Sequence, residues 1–154
     1  MFGKEKKQII YMGSDHAGFE AKNKLKKVLE SRGYDVTDLG SFTEKPTDYP
    51  DIAREVGEKV SEHKDSFGII ICGTGIGVAM AANKVRGIRA AQANNEHYAE
   101  MARRHNNANI LTMGGRTTEF EDMKKIATKF LNTDFEDKKR HVRRVNKIEG
   151  GNTR

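Results

Sequence analysis

The segment that most limits what this chain can become is Phe67-Gly68-Ile69-Ile70-Ile71-Cys72, followed at once by Gly73-Thr74-Gly75-Ile76-Gly77. The first six residues are short, β-branched and apolar, with no polar alternation. Such a run suits a central parallel strand covered on both faces, not a strand with one side in water. Three alternating glycines then free the backbone for a tight turn and for close approach to a ligand. Small residues follow, and the spacing predicts turn and helix over Gly73 to Asn83. A buried parallel strand needs crossover connections, so the rest of the chain should supply them.

It does. Gln8 to Gly13, Tyr34 to Gly40, Ile88 to Ala93 and Asn109 to Met113 read as four further strands. Helical spacing covers Phe19 to Arg32, where Phe19, Leu25, Val28 and Leu29 are apolar among lysines and Gly33 follows as a stop. Further helices are expected from about Asp51 to Glu62, Glu96 to His105, Thr118 to Leu131 and Asp137 to Glu149. Strands alternating with helices predict an α/β fold, a doubly wound Rossmann-like five-stranded parallel sheet in three layers. The 154 residues suit a single domain, 1–154, with no internal repeat. Residues 1–7 and 151–154 are expected to be flexible.

Composition removes several function classes. One cysteine, Cys72, excludes an intrachain disulfide framework and a Cys-rich zinc site. His63, His97 and His141 show no metal-ligand spacing. No long apolar core marks a signal peptide, and no run approaches the roughly 20 residues that span a membrane. The expectation is a soluble cytoplasmic protein. The net charge of +6 is confined to the C-terminus, where residues 138–154 carry seven Lys/Arg and one acid. A basic tail points to a polyanion or to phosphate.

In an open α/β sheet, ligands bind at the carboxyl ends of strands. That rule selects Ser14-Asp15-His16, Cys72 to Gly77, Asn94-Asn95 and Gly114-Gly115-Arg116. The glycine loop is not a Walker A loop, because no Gly-Lys-Ser/Thr follows. It is a poor dinucleotide fingerprint, because its spacing is Gly-x-Gly-x-Gly and no acid ends the next strand. Successive N–H groups there make an anion nest. Cys72 stands beside that nest, where a thiolate meets a substrate, although most lone cysteines are packing residues. Asp15 either binds ligand or caps the next helix. His105 suits acid–base work, or simply the dipole of a helix C-terminus. Arg116 grips a phosphate or faces solvent.

Together, GSDHAG (13–18), TDYPD (47–51), ICGTGIGVAMAANKVRGIRAA (71–91), HNNANILTMGGR (105–116) and RHVRRV (140–145) resemble the ribose-5-phosphate isomerase B family. That family also contains bacterial galactose-6-phosphate isomerase subunits, and the resemblance runs from about Ile9 to Ile148. It implies interconversion of an aldose phosphate and a ketose phosphate, typically ribose 5-phosphate and ribulose 5-phosphate, through an enediolate. It implies no metal and no organic cofactor. Cys72 matches the base. Thr74 and His105 match the ring-opening residues, and Asp15 binds sugar hydroxyls and assists. Gly73, Thr74, Gly75, Ile76 and Gly77 would hold the oxyanion, with Tyr49 and Asn106 on the sugar. His16, Arg116, Arg140 and Arg144 match the phosphate set. The resemblance implies a homodimer, or a tetramer of paired dimers, with the site at the subunit interface. A C-terminal helix, 137–150, is therefore expected to reach the partner.

One departure is local. Relatives often carry glycines where Glu136-Asp137-Lys138-Lys139 precedes Arg140, so Arg143 competes with Arg144 for the phosphate. The alternatives are a hexose-phosphate isomerase acting on allose 6-phosphate or galactose 6-phosphate, and a non-catalytic sugar-phosphate sensor. The presence of Cys72, Thr74 and His105 disfavours the sensor. No recognised nucleic-acid motif supports a nucleic-acid role for the tail.

Overall fold

A computed structural model describes residues 6–151. Residues 1–5 and 152–154, parts of the termini expected to be flexible, lie outside the described residues. Five strands form one parallel sheet in the order β2-β1-β3-β5-β4. They are β1 (Ile9–Ser14), β2 (Asp35–Asp38), β3 (Phe67–Cys72), β4 (Ala90–Gln92) and β5 (Ile110–Gly114). The helices are α1 (Phe19–Ser31), α2 (Tyr49–Glu62), α3 (Ile76–Ala82), α4 (Glu96–Asn106), α5 (Phe120–Leu131) and α6 (Lys139–Ile148).

The apolar run predicted as the centre of the sheet is β3, paired with β1 on one side and β5 on the other. Its side chains alternate between two cores. Ile69 and Ile71 join Leu25 and Leu29 of α1, Ala99 of α4 and Phe130 of α5. Ile70 and Cys72 join Val56 and Val60 of α2 and Val78 of α3. Ile69, Ile70 and Ile71 are 0% exposed, and each contributes about 1.5–3 kcal/mol of burial. The three-layer α/β expectation therefore holds.

Several element ends differ from the sequence reading, each for a local reason. α2 begins at Tyr49, two residues before Asp51, because Pro50 sits in the first turn. Proline lacks only an N–H that is unpaired there in any case. α3 starts at Ile76, because Gly75 has φ of +80° and stands outside the helix. β4 is shorter than Ile88 to Ala93, since the Arg89 N–H is taken by the Asn109 side chain at 2.8 Å. α6 starts at Lys139 rather than Asp137, after Lys138 in extended conformation. β2 stops at Asp38, and α5 begins at Phe120.

The chain leaves β1 for α1 on one face and leaves β3 for α3 on the other. Neighbouring strands whose connections diverge in this way open a crevice at their carboxyl ends. Ser14-Asp15-His16 and Cys72-Gly73-Thr74 sit at its lips.

Candidate active site

Cys72 ends β3 and is buried, on the same side of the sheet as α2 and α3. The Gly75 N–H donates to its Sγ at 3.1 Å. That bond strengthens when the sulfur carries charge. Gly75 can be nothing larger. Besides its positive φ, a Cβ there would lie 2.8 Å from the carbonyl carbon of Met113. The Ile76 N–H donates to Thr74 Oγ1 at 3.2 Å. The N–H groups of Gly73 and Thr74 donate to no acceptor among the described residues, which leaves two donors at the mouth of the loop.

Four more predicted residues lie at this crevice, and two of them, Tyr49 and Arg116, meet the loop itself. The Asp15 carboxylate accepts from the N–H of Ala17 at 2.9 Å and of Gly18 at 3.1 Å, so it caps the turn before α1. Both bonds use Oδ1, and Oδ2 remains without a partner among the described residues. The Thr47 N–H donates to His16 Nδ1 at 3.2 Å. With Nδ1 accepting, the neutral ring carries its proton on Nε2. The Tyr49 ring covers Gly77, where an added Cβ would come within 2.7 Å of it. The Arg116 side chain lies across Gly73, its Nη1 3.8 Å from a Cβ built there. The Gly115 and Arg116 N–H groups fasten this turn to the carbonyls of Cys72 and Gly73 at 2.7 and 3.0 Å.

His105, Asn106, Arg140 and Arg144 are not part of this gathering. α4 runs back along the sheet, so its C-terminal His105 and Asn106 reach the amino ends of the strands. A strand of this length separates the two ends by about 15–20 Å. His105 stacks on His141 of α6, with ring centroids 4.5 Å apart and planes at 11°. Glu136 Oε2 lies 3.9 Å from His105 Nε2 and 3.1 Å from Arg104 Nη2. Lys138, hydrogen-bonded to Glu136, holds that carboxyl down at about 2, and Arg104 adds to the effect. Burial pushes His141 below the ordinary histidine value, and the cationic Arg140 lowers it further. Arg140 and Arg144, one turn apart on α6, are exposed. Arg89 secures this pole, donating to the carbonyls of Asn106 and Asn107 and pairing with Glu149 at 2.5 Å. A cleft of about 570 Å³ lies here too, lined by Arg89, Asn106 and Ile148, away from Cys72.

His105, Glu136 and His141 bring possible metal-ligand atoms within 4.8 Å of one another. The arrangement does not suit an ion. Imidazole lone pairs lie in the ring plane, so two nearly parallel stacked rings cannot aim at one metal. Arg104 and Lys138 already occupy the carboxylate.

A family model described as Ribose/Galactose Isomerase matches residues 10–148. The chain belongs to that family. Its class of activity, isomerisation of a sugar phosphate, follows from this membership. The isomerase is 43% identical over 141 residues to a probable ribose-5-phosphate isomerase B of Mycoplasma genitalium, covering 90% of this chain and 92% of that protein. It is 39% identical to the ribose-5-phosphate isomerase B of Escherichia coli over 139 residues, 90% of this chain and 93% of that one. The solved ribose-5-phosphate isomerase B of Clostridium thermocellum superposes with a TM-score of 0.91 at 42% identity, covering 93% of this chain and 96% of that one. The Mycoplasma genitalium enzyme with bound ribulose-5-phosphate gives 0.88 at 42% identity, over 92% and 94% of the two chains. No helix among the described residues is long and apolar enough to cross a membrane.

Three residues beside the site escaped the sequence reading. Thr112 and Gln92 bond to the glycine loop, and Glu136 faces His105. Thr112 did leave a signal, as a lone polar residue inside the apolar run Ile110 to Met113, which needs a partner when buried. Glu136 left none.

Proposed function

We propose that this isomerase interconverts D-ribose 5-phosphate and D-ribulose 5-phosphate in the cytoplasmic pentose phosphate pathway, as a homodimer of single-domain subunits whose sites join two copies. The observation that carries this reading is Cys72, a buried thiol held by the Gly75 N–H, with Arg116 across the same loop. The bound ribulose-5-phosphate of the 42% identical neighbour supports the choice of a pentose phosphate.

The chemistry follows from the two poles. A second copy brings its His105, Asn106 and α6 arginines to the crevice that holds Cys72. His105 donates a proton to the ring oxygen as the bond from C1 to that oxygen breaks. Thr74 hydrogen-bonds the sugar hydroxyls, and the Asp15 carboxylate receives the proton of the C1 hydroxyl. In the open aldose, the Cys72 thiolate takes the C2 proton. The electron pair moves to the C1 carbonyl oxygen, where the free N–H groups of Gly73 and Thr74 meet the developing charge. Preorganised donors of this kind are worth about 10²–10³ in rate each. The same proton returns to C1 and the O2 proton moves to O1, which gives the ketose. No electron or atom is gained or lost. His16, Arg116, Arg140 and Arg144 grip the phosphate, the arginines through forked hydrogen bonds. Tyr49, Ile76 and Gly77 line the sugar.

The test is a coupled isomerisation assay over pentose and hexose phosphates, run on the wild type and on Cys72→Ala. Turnover of ribose 5-phosphate that falls about 10²–10⁴-fold in Cys72→Ala is the expected result. Preference for allose 6-phosphate or galactose 6-phosphate would overturn the substrate. Undiminished turnover in Cys72→Ala would overturn the base.

A further inference from the structure

A trans peptide points its C=O and N–H in opposite directions, so holding one aims the other. Two adjacent peptides of the glycine loop are held in this way. Gln92 Nε2 donates to the carbonyl of Thr74 at 3.3 Å, and the opposite end of that peptide is the Gly75 N–H on Cys72 Sγ. Thr112 Oγ1 donates to the carbonyl of Gly75 at 2.6 Å, and the opposite end is the Ile76 N–H on Thr74 Oγ1. The two clamping residues are register partners on β4 and β5. Both lie on the α3 side of the sheet, in phase with Ile110 and Ala90. Thr112 is 0% exposed in a strand otherwise apolar up to Gly114. Nothing in packing calls for a hydroxyl there, and its one protein partner among the described residues is the loop.

We propose that Gln92 and Thr112 are positioning residues for the isomerisation: Gln92, through the Thr74 carbonyl, aims the Gly75 N–H at the sulfur of Cys72, and Thr112, through the Gly75 carbonyl, aims the Ile76 N–H at the Thr74 hydroxyl. The proposal rests on the reading of Cys72 as the base. It assigns to the edge strand β4 and its neighbour β5 a role that the sheet alone does not require. Met113 of β5 supports the turn from below, where only glycine fits at position 75. Gln92 and Thr112 then remove its remaining freedom to rotate those two peptides. An unclamped peptide can flip, and the sulfur then loses the donor that stabilises its charged form.

The variants are Thr112→Val, which keeps the volume and loses the hydroxyl, Thr112→Ser, which does the reverse, and Gln92→Leu. The readouts are kcat and KM for ribose 5-phosphate, and the rate at which iodoacetamide alkylates Cys72 at pH 7. Alkylation at that pH follows the thiolate fraction. Loss of one such hydrogen bond should lower kcat about tenfold in Thr112→Val and Gln92→Leu, with KM within about twofold. Cys72 alkylation should slow by about threefold to tenfold in Gln92→Leu, whose clamp holds the peptide of the Gly75 N–H, and should change less in Thr112→Val. Thr112→Ser should stay near wild type, whereas a packing role would make it worse than Thr112→Val. A wild-type alkylation rate in Gln92→Leu, or a wild-type kcat in Thr112→Val, would overturn the proposal. Should Thr112→Val not fold, Gln92→Leu decides alone, because Gln92 is only partly buried. Retained turnover in Cys72→Ala would remove the base reading, and the alkylation comparison would still decide whether the clamp acts on the sulfur.

Discussion

Gly75 shows how much one residue can carry. Its φ of +80° and the Met113 backbone 2.8 Å from a built Cβ exclude every side chain. Gly75→Ala should lower stability by about 1–3 kcal/mol and turnover by at least as much as loss of the sulfur's donor would. Urea unfolding and steady-state kinetics read the two effects, and wild-type values for both would contradict the argument. Lys22 is a second case. It is 0% exposed, with its amine on Asp38 at 2.8 and 3.0 Å and on the Ser41 carbonyl at 2.5 Å. Removing one partner of a buried pair strands the other charge. Lys22→Met should therefore cost about 3–5 kcal/mol, and adding Asp38→Leu should recover part of that loss. Strict additivity in a double-mutant cycle would show that the pair does not interact.

At the scale of elements, α6 is held to α4 by His141 and His105 and by the Glu136 segment, whose N–H reaches the Arg104 carbonyl at 3.0 Å. Burial lowers the proton affinity of His141 in the folded chain. The unfolded chain then binds more protons below the ordinary histidine value near 6.5, so the contact is fully stable above that value and weakens as pH falls through it. Glu136 behaves as a depressed carboxylate, whose contribution is complete above about 4.5 and is lost only as pH approaches about 2. Between pH 7 and 5, His141 should therefore contribute to a loosening of α6, whereas Glu136 should not. Amide exchange of α6 should quicken over that range, and His141→Phe should flatten the slope. A slope unchanged in His141→Phe would assign it to another group.

The whole molecule poses the sharpest test, because its predicted site residues stand at opposite ends of one sheet. Cys72, Thr74, Asp15, His16, Tyr49 and Arg116 surround the crevice, while His105, Asn106, Arg140 and Arg144 stand at the far pole. If two copies complete each other's sites, Cys72→Ala and His105→Ala chains mixed after co-refolding should regain activity. In a mixed dimer one site carries both defects and the other carries neither. Random pairing of equal amounts should restore roughly one quarter of wild-type turnover. A mixture no more active than its parents would show that each chain completes its own site. The basic C-terminus gains meaning at this scale. Arg140 and Arg144 form one exposed ridge on α6, suited to a substrate phosphate in a neighbouring copy.

What the chain determined by itself was local. The unbroken β-branched run before Cys72 can only be a doubly covered strand, and the amphipathic spacing around Leu25 or Ile126 can only be a helix laid on a sheet. Short-range periodicity carries that information, which is why the five strands and six helices were legible and only their ends moved, as where Pro50 entered a first turn. The glycines at 73, 75 and 77 likewise marked the loop, because positive φ and close approach leave few substitutes. Tertiary structure decided the rest. Whether His105 faces Cys72 depends on which way α4 runs against β5, and no spacing in the sequence encodes that. The bonds from Thr112 and Gln92 to the loop join strands far from it in sequence. Glu136 meets His105 only because α6 folds back onto α4. Those relations are set by packing across the sheet, which a one-dimensional pattern cannot express.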